Sequence, residues 1–143
     1  MILGFKTRYP EWMTKKGWDT FFEDKIKAGI KIHTIRQGHR FKPGDKLHLA
    51  TGVRTKNYNC FKEMVCTYTQ EIELDRNFGY GPMDLIINID GHPLRQLEKE
   101  TLAMKDGFDT YQDFVEWFNQ KDEKFIGQII HWTDFKYRYG IVS

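Results

Sequence analysis

Between Lys31 and Arg36 the chain sets an amine, an imidazole, a hydroxyl and a guanidinium within six residues, in the run Gly29-Ile30-Lys31-Ile32-His33-Thr34-Ile35-Arg36. Thr34 is a candidate nucleophile, but its hydroxyl is inert at neutral pH without a base. Lys31 could be that base if burial or neighbouring cations lower its pKa. The scheme also needs an acid that serves a leaving group or orients the amine. Asp106, in the connection Lys105-Asp106-Gly107-Phe108 between two expected helices, is the candidate. Arg36 shares a strand face with Thr34 and could fork onto a phosphate or a carbonyl, or else pair with an acid of the second half. His33, in the same run, is a further candidate for contact with a ligand.

Strand geometry raises an objection. Residues 31 and 34 of a straight strand point to opposite faces. The amine and the hydroxyl meet only if Lys31 still belongs to the turn after Gly29, or if a bulge intervenes. The alternative is a surface lysine beside an inward-facing threonine.

The elements that must position these groups are legible in part. Residues 2–6 read as a short strand and 19–28 as a helix, with a Thr20-x-x-Glu23 capping box. Trp18, Phe21, Phe22 and Ile26 recur at helical spacing and are expected in the core. Gly29 ends the helix in a left-handed conformation. Residues 32–36 are extended, Lys42-Pro43-Gly44-Asp45 is a turn, and 46–51 alternate as a strand with Leu47, Leu49 and Thr51 on one side. Residues 52–59 are a polar, basic loop, and 60–74 a long strand with a bend or bulge. Residues 76–82 read as a loop, 83–89 as a strand, and Asp90-Gly91 as a hairpin turn. Helices over 95–105 and from Asp109 onward follow, the second burying Tyr111, Phe114, Val115 and Phe118. A last strand covers 125–135. Together these predict a single α+β domain over residues 1–143, with a small, partly closed mixed or antiparallel β-barrel flanked by two or three helices.

Composition narrows the function. The net charge of +2 hides an asymmetry, with 14 Lys+Arg against 5 Asp+Glu in residues 1–62 and 8 against 15 thereafter. A basic first half suits a phosphate-bearing ligand, unless the two halves pair across the fold. Arg54, Lys56 and Tyr58, with Phe61 close behind, interleave cations and rings as single-stranded nucleic acid requires. A solvated basic loop explains them equally well. No histidine pair has metalloprotease spacing, and Cys60 and Cys66 match no common zinc pattern, so neither a metal nor a cofactor is expected. Both thiols are expected reduced and buried. No apolar run reaches the ~18–20 residues of a membrane span, and the first residues turn polar too soon for a signal peptide, which points to the cytoplasm.

Gly29-x-Lys31-x-x-Thr34-x-Arg36, followed by Lys42-x-Gly44-Asp45, resembles the signature of ASCH domains, small PUA-like β-barrels linked to RNA. Ala103-x-x-Asp106-Gly107-Phe108 is similar to an acid-Gly-Phe corner of that family. The order of elements matches over most of the chain. The enzymatic members are small amidohydrolases that remove the acetyl group from N(4)-acetylcytidine with a lysine, a threonine and a glutamate. By position the resemblance implies Lys31, Thr34 and Asp106, aspartate standing where those enzymes have glutamate. This chain is also longer than they are, around 52–59 and 76–95. The resemblance implies a nucleoside or a nucleotide within RNA as partner; on the residues themselves, His33, Arg36, Arg54, Lys56 and Tyr58 are the candidates to hold it or a single-stranded RNA. Besides amide hydrolysis on an acylated base, a non-catalytic RNA-binding module and a ribonuclease remain open.

Overall fold

Alternating apolar residues mark the strands near 46–51, 70–75 and 84–89, and the way the strands pair determines where the candidate groups lie. The computed structural model describes residues 1–77, 84–119 and 124–138. In chain order the elements are β1 (Ile2–Gly4), α1 (Phe22–Lys27), β2 (His33–Gln37), β3 (Lys46–Thr51), β4 (Asn59–Val65), β5 (Tyr68–Asn77), β6 (Asp84–Ile89), β7 (His92–Pro93), α2 (Gln96–Lys105), α3 (Tyr111–Phe118) and β8 (Phe125–His131). The chain is α+β, as expected.

The strands form two sheets rather than one closed barrel. One runs β1-β3-β4, with β1 parallel to β3; the other runs β2-β8-β5-β6-β7. The expected long strand over 60–74 is the reason for the split. It breaks at Cys66–Thr67, so that β4 pairs with β3 while β5 pairs with β8 and β6. Cys66 is the corner: its N–H donates to Asp45 O and its carbonyl accepts from Gly44 N, tying the break to the Lys42–Asp45 turn. Leu47, Leu49, Ile72, Ile87, Ile129 and Phe114 are fully buried between the sheets and helices.

Several local expectations change. The first helix is shorter than 19–28 because Phe21 takes a left-handed φ of 56°. The Thr20-Glu23 box is replaced by two separate caps, Asp19 Oδ1 accepting from Phe21 N and Thr20 Oγ1 accepting from Phe22 N. That backbone turn rotates Trp18 and Phe21 outward, and both are exposed instead of buried. Cys60 is exposed as well, on the edge strand β4, while Cys66 is buried; both are free thiols. The last strand stops at His131. Of the expected 76–82 loop, Arg76 and Asn77 belong to β5 and the rest lies outside the described residues. The Asp90-Gly91 hairpin forms as expected, with positive φ at both residues. Among the described residues no helix is long and apolar enough to cross a membrane.

β2 is pinned in the second sheet by its register with β8, where His33 faces His131 and Arg36 faces Gln128. The Gln128 side chain mimics a further strand, accepting from Phe41 N and donating to Phe41 O. His131 donates from Nε2 to Gln70 Oε1, and its Nδ1 has no partner among the described residues. Burial, then the neighbouring His33, pushes its pKa down to about 3, against Asp106, which acts the other way. An unfolded chain therefore takes up a proton that the folded chain refuses. The contribution of His131 to stability is complete above about pH 6.5 and is lost as pH drops from there toward 3, by on the order of 4 kcal/mol. His131→Gln, which keeps the donor to Gln70, should flatten that loss in urea unfolding measured across the same pH window.

Candidate active site

Two helix ends build the site. α1 closes with Gly29 N donating to Ile26 O and Ile30 N to Lys25 O; α2 closes with Gly107 N donating to Met104 O and Phe108 N to Ala103 O. Both are Schellman caps with a left-handed glycine, Gly29 at φ 76° and Gly107 at φ 95°. Lys31 follows the first cap directly, and Asp106 immediately precedes the glycine of the second.

The caps are braced against each other. Ile32 N donates to Lys105 O, and Lys25 Nζ donates to Gly107 O at 2.7 Å. Lys31 Nζ donates to Asp106 O at 2.5 Å and lies 3.3 Å from Asp106 Oδ1. The lysine stem passes so close to Gly107 that a Cβ there would sit 2.8 Å from Lys31 Cδ, so glycine serves both the backbone turn and the close approach. An ammonium at the carbonyl end of a helix is also favoured by the helix dipole.

Lys31 therefore belongs to the turn and not to β2, and the strand objection disappears. Lys31, Thr34, Arg36 and Asp106 all line one cavity of about 260 Å³. Phe5, Phe22, Phe108, Trp117, Phe118 and Phe125 supply its apolar walls, and Lys6 and Lys124 add two further cations. Lys31 Nζ lies 4.9 Å from the ring centre of Phe22 and 5.6 Å from that of Phe5. Thr34 Oγ1 accepts from Arg36 Nε at 3.3 Å; among the described residues it makes no direct bond to Lys31.

The electrostatics are those of a small, basic pocket with aromatic walls. Burial pushes the Lys31 ammonium down to about 8; Asp106 opposes this, and Arg36 and Lys25 reinforce it. The neutral amine is thus accessible near neutral pH. Burial also lowers Arg36, against Asp106, but a guanidinium remains charged. Arg36 Nη2 donates to Gly4 O at 2.7 Å and the guanidinium stacks 5.1 Å from the Phe5 ring centre. It joins β2 to β1, one sheet to the other, and among the described residues it pairs with no carboxylate.

The remaining candidates separate from this group. His33, expected to touch a ligand, is completely buried and lines no part of the cavity; it is hydrogen-bonded to Asp106 Oδ1 and Tyr137 Oη. Arg54, Lys56 and Tyr58 are exposed in the loop between β3 and β4 and line no part of the cavity. That loop is held by Thr55, whose hydroxyl donates to Gly52 O and accepts from Asn57 N. Sequence reading missed Tyr137 and the aromatic walls contributed by Phe5, Phe108, Trp117 and Phe125. The abundance of aromatic residues was the available signal, but their spacing does not distinguish a pocket wall from core. No group of His, Cys, Asp and Glu among the described residues could hold a metal ion.

An amine, a hydroxyl, a carboxylate and a guanidinium facing aromatic walls suit a planar polar ligand with a carbonyl group. Arg36→Met should cost about 2 kcal/mol in urea unfolding, because it removes a charge-assisted bond between the sheets. An unchanged midpoint would mean that the bond to Gly4 contributes nothing. The chain matches no family model, and no curated protein or solved structure is significantly similar to it.

Proposed function

We propose that this protein is an ASCH-type domain, its two sheets an opened form of the PUA-like barrel, that binds a nucleoside or a nucleotide within RNA and hydrolyses an amide on an acylated base. The observation that carries this reading is the convergence of Lys31, Thr34, Arg36 and Asp106 on one aromatic-walled cavity. A flat base fits between aromatic faces, while the cations meet its carbonyl or a phosphate.

In this scheme Thr34 Oγ attacks the acyl carbonyl carbon while the neutral Lys31 amine takes the hydroxyl proton, directly or through one water. The carbonyl oxygen becomes an oxyanion beside Arg36. The C–N bond then breaks, and the base amine leaves with the proton from Lys31. The acyl group remains as an ester on Thr34 until water hydrolyses it to a carboxylic acid and restores the hydroxyl. Asp106 orients the Lys31 amine, and its second oxygen accepts from the leaving N–H.

Thr34→Ala should abolish turnover of N(4)-acetylcytidine while changing unfolding free energy by no more than ~1 kcal/mol, since one long hydrogen bond is lost. Wild-type protein inert toward that nucleoside at high concentration would remove the enzymatic reading. Because only the neutral amine accepts a proton, kcat/KM should rise about tenfold per pH unit on the acid side of Lys31's pKa of about 8 and level off above it.

A second reading rests on the exposed Arg54, Lys56 and Tyr58 of the β3–β4 loop, which suit a single strand outside the cavity. It predicts that affinity for single-stranded RNA falls with salt, and that the double change Arg54→Ala, Lys56→Ala lowers the slope of log K against log salt by about 1.4. Binding that ignores salt would count against it.

A further inference from the structure

Behind Asp106 a file of hydrogen bonds runs from the cavity into the core, and the scheme above leaves it unused. Tyr137 Oη lies 2.7 Å from His33 Nε2, and His33 Nδ1 lies 3.1 Å from Asp106 Oδ1. The same Oδ1 faces Lys31 Nζ at 3.3 Å. All four side chains are buried.

Donor inventory sets the direction of the file. A carboxylate only accepts, so Nδ1 carries the hydrogen that meets Asp106. Burial favours the neutral imidazole, against the hydrogen bond and charge of Asp106, and Lys31 and Lys105 act in the same direction as burial. Nε2 is then an acceptor and takes the Tyr137 O–H. Donation into Nε2 polarises the ring and strengthens the Nδ1–H bond at its other side. Asp106 Oδ1 is shared between an imidazole and an amine, and Oδ2 has no protein partner among the described residues.

We propose that Tyr137 and His33 are positioning residues that act through Asp106, holding one carboxylate oxygen in the protein, leaving the other to the ligand, and keeping Lys31 from being locked as a cation. This rests on the reading of Lys31 as the base. A carboxylate bonded to Lys31 alone would hold the ammonium more tightly; a share of Oδ1 given to His33 loosens it. Among the described residues the groups facing this set include Arg36 and Lys25 beside Lys31, Lys105 and the His131 ring (5.3 Å between ring centres) beside His33, the Phe135 and His131 rings beside Tyr137, and the faces of Phe5 and Phe22. The variants below change none of these residues.

The test is an NMR titration of the full chain carrying ¹³C-labelled lysine, with the Lys31 signal assigned by its loss in Lys31→Met. Tyr137→Phe, which removes one oxygen and no bulk, should raise the Lys31 pKa by about half a unit, and His33→Leu by about one unit. His33→Asn, whose amide N–H lies near the place of Nδ1, should bring it back toward the wild-type value. If Lys31 titrates at the wild-type pH or lower in folded Tyr137→Phe, the relay is overturned, and that variant decides alone should His33→Leu fail to fold. The titration consumes no substrate. A wild-type protein inert toward acetylcytidine would therefore overturn the proposed reaction and leave the relay standing or falling on its own result.

Discussion

The buried contact between Lys31 and Asp106 is the constraint around which the site is organised. It joins the ends of α1 and α2, whose last carbonyls cannot all be satisfied within their own helices. Lys31 gives a hydrogen to the Asp106 carbonyl and faces its carboxylate, and Lys25 gives one to Gly107 O. A buried ion pair contributes little net stability, because desolvation offsets most of the attraction. What it does supply is register. With the Ile32–Lys105 backbone bond it fixes the turn before β2, and hence which residues of that strand face the cavity.

The cavity's charge follows from the same arrangement. Several cations of the basic first half find acids of the second: Lys15 meets Asp113, Lys25 meets Asp109 and Lys31 meets Asp106. Three of the fourteen cations in residues 1–62 are thus paired across the fold. Arg36 is different, for it is satisfied by a backbone carbonyl, a hydroxyl and an aromatic face, none of which neutralises it. It therefore leaves a positive potential in a pocket with low-dielectric walls, where a developing negative charge gains most.

Local chemistry was the legible part. Gly29 and Gly107 announce helix ends, Lys42–Asp45 and Asp90-Gly91 announce turns, and alternation marks β3. These signals depend on neighbours a few residues away, and the folded chain keeps them. The β-prone run over 60–74 is extended and bent, but periodicity does not say which strands it pairs with, and the bend separates two sheets. Trp18 and Phe21 misled for a related reason: helical spacing was read through a residue that takes a left-handed turn, which rotates the face it was meant to continue.

The amino-acid sequence by itself determined which groups are available for chemistry and where the backbone must turn, since both follow from residue type and near neighbours. Tertiary structure decided that Lys31 and Thr34 open into one space, that Asp106 meets Lys31 from a different helix, and that His33 and Tyr137 stand behind them and not in the cavity. Those outcomes depend on contacts between residues dozens of positions apart. Such contacts are settled by how the two sheets and the helix ends pack, and no local pattern records them.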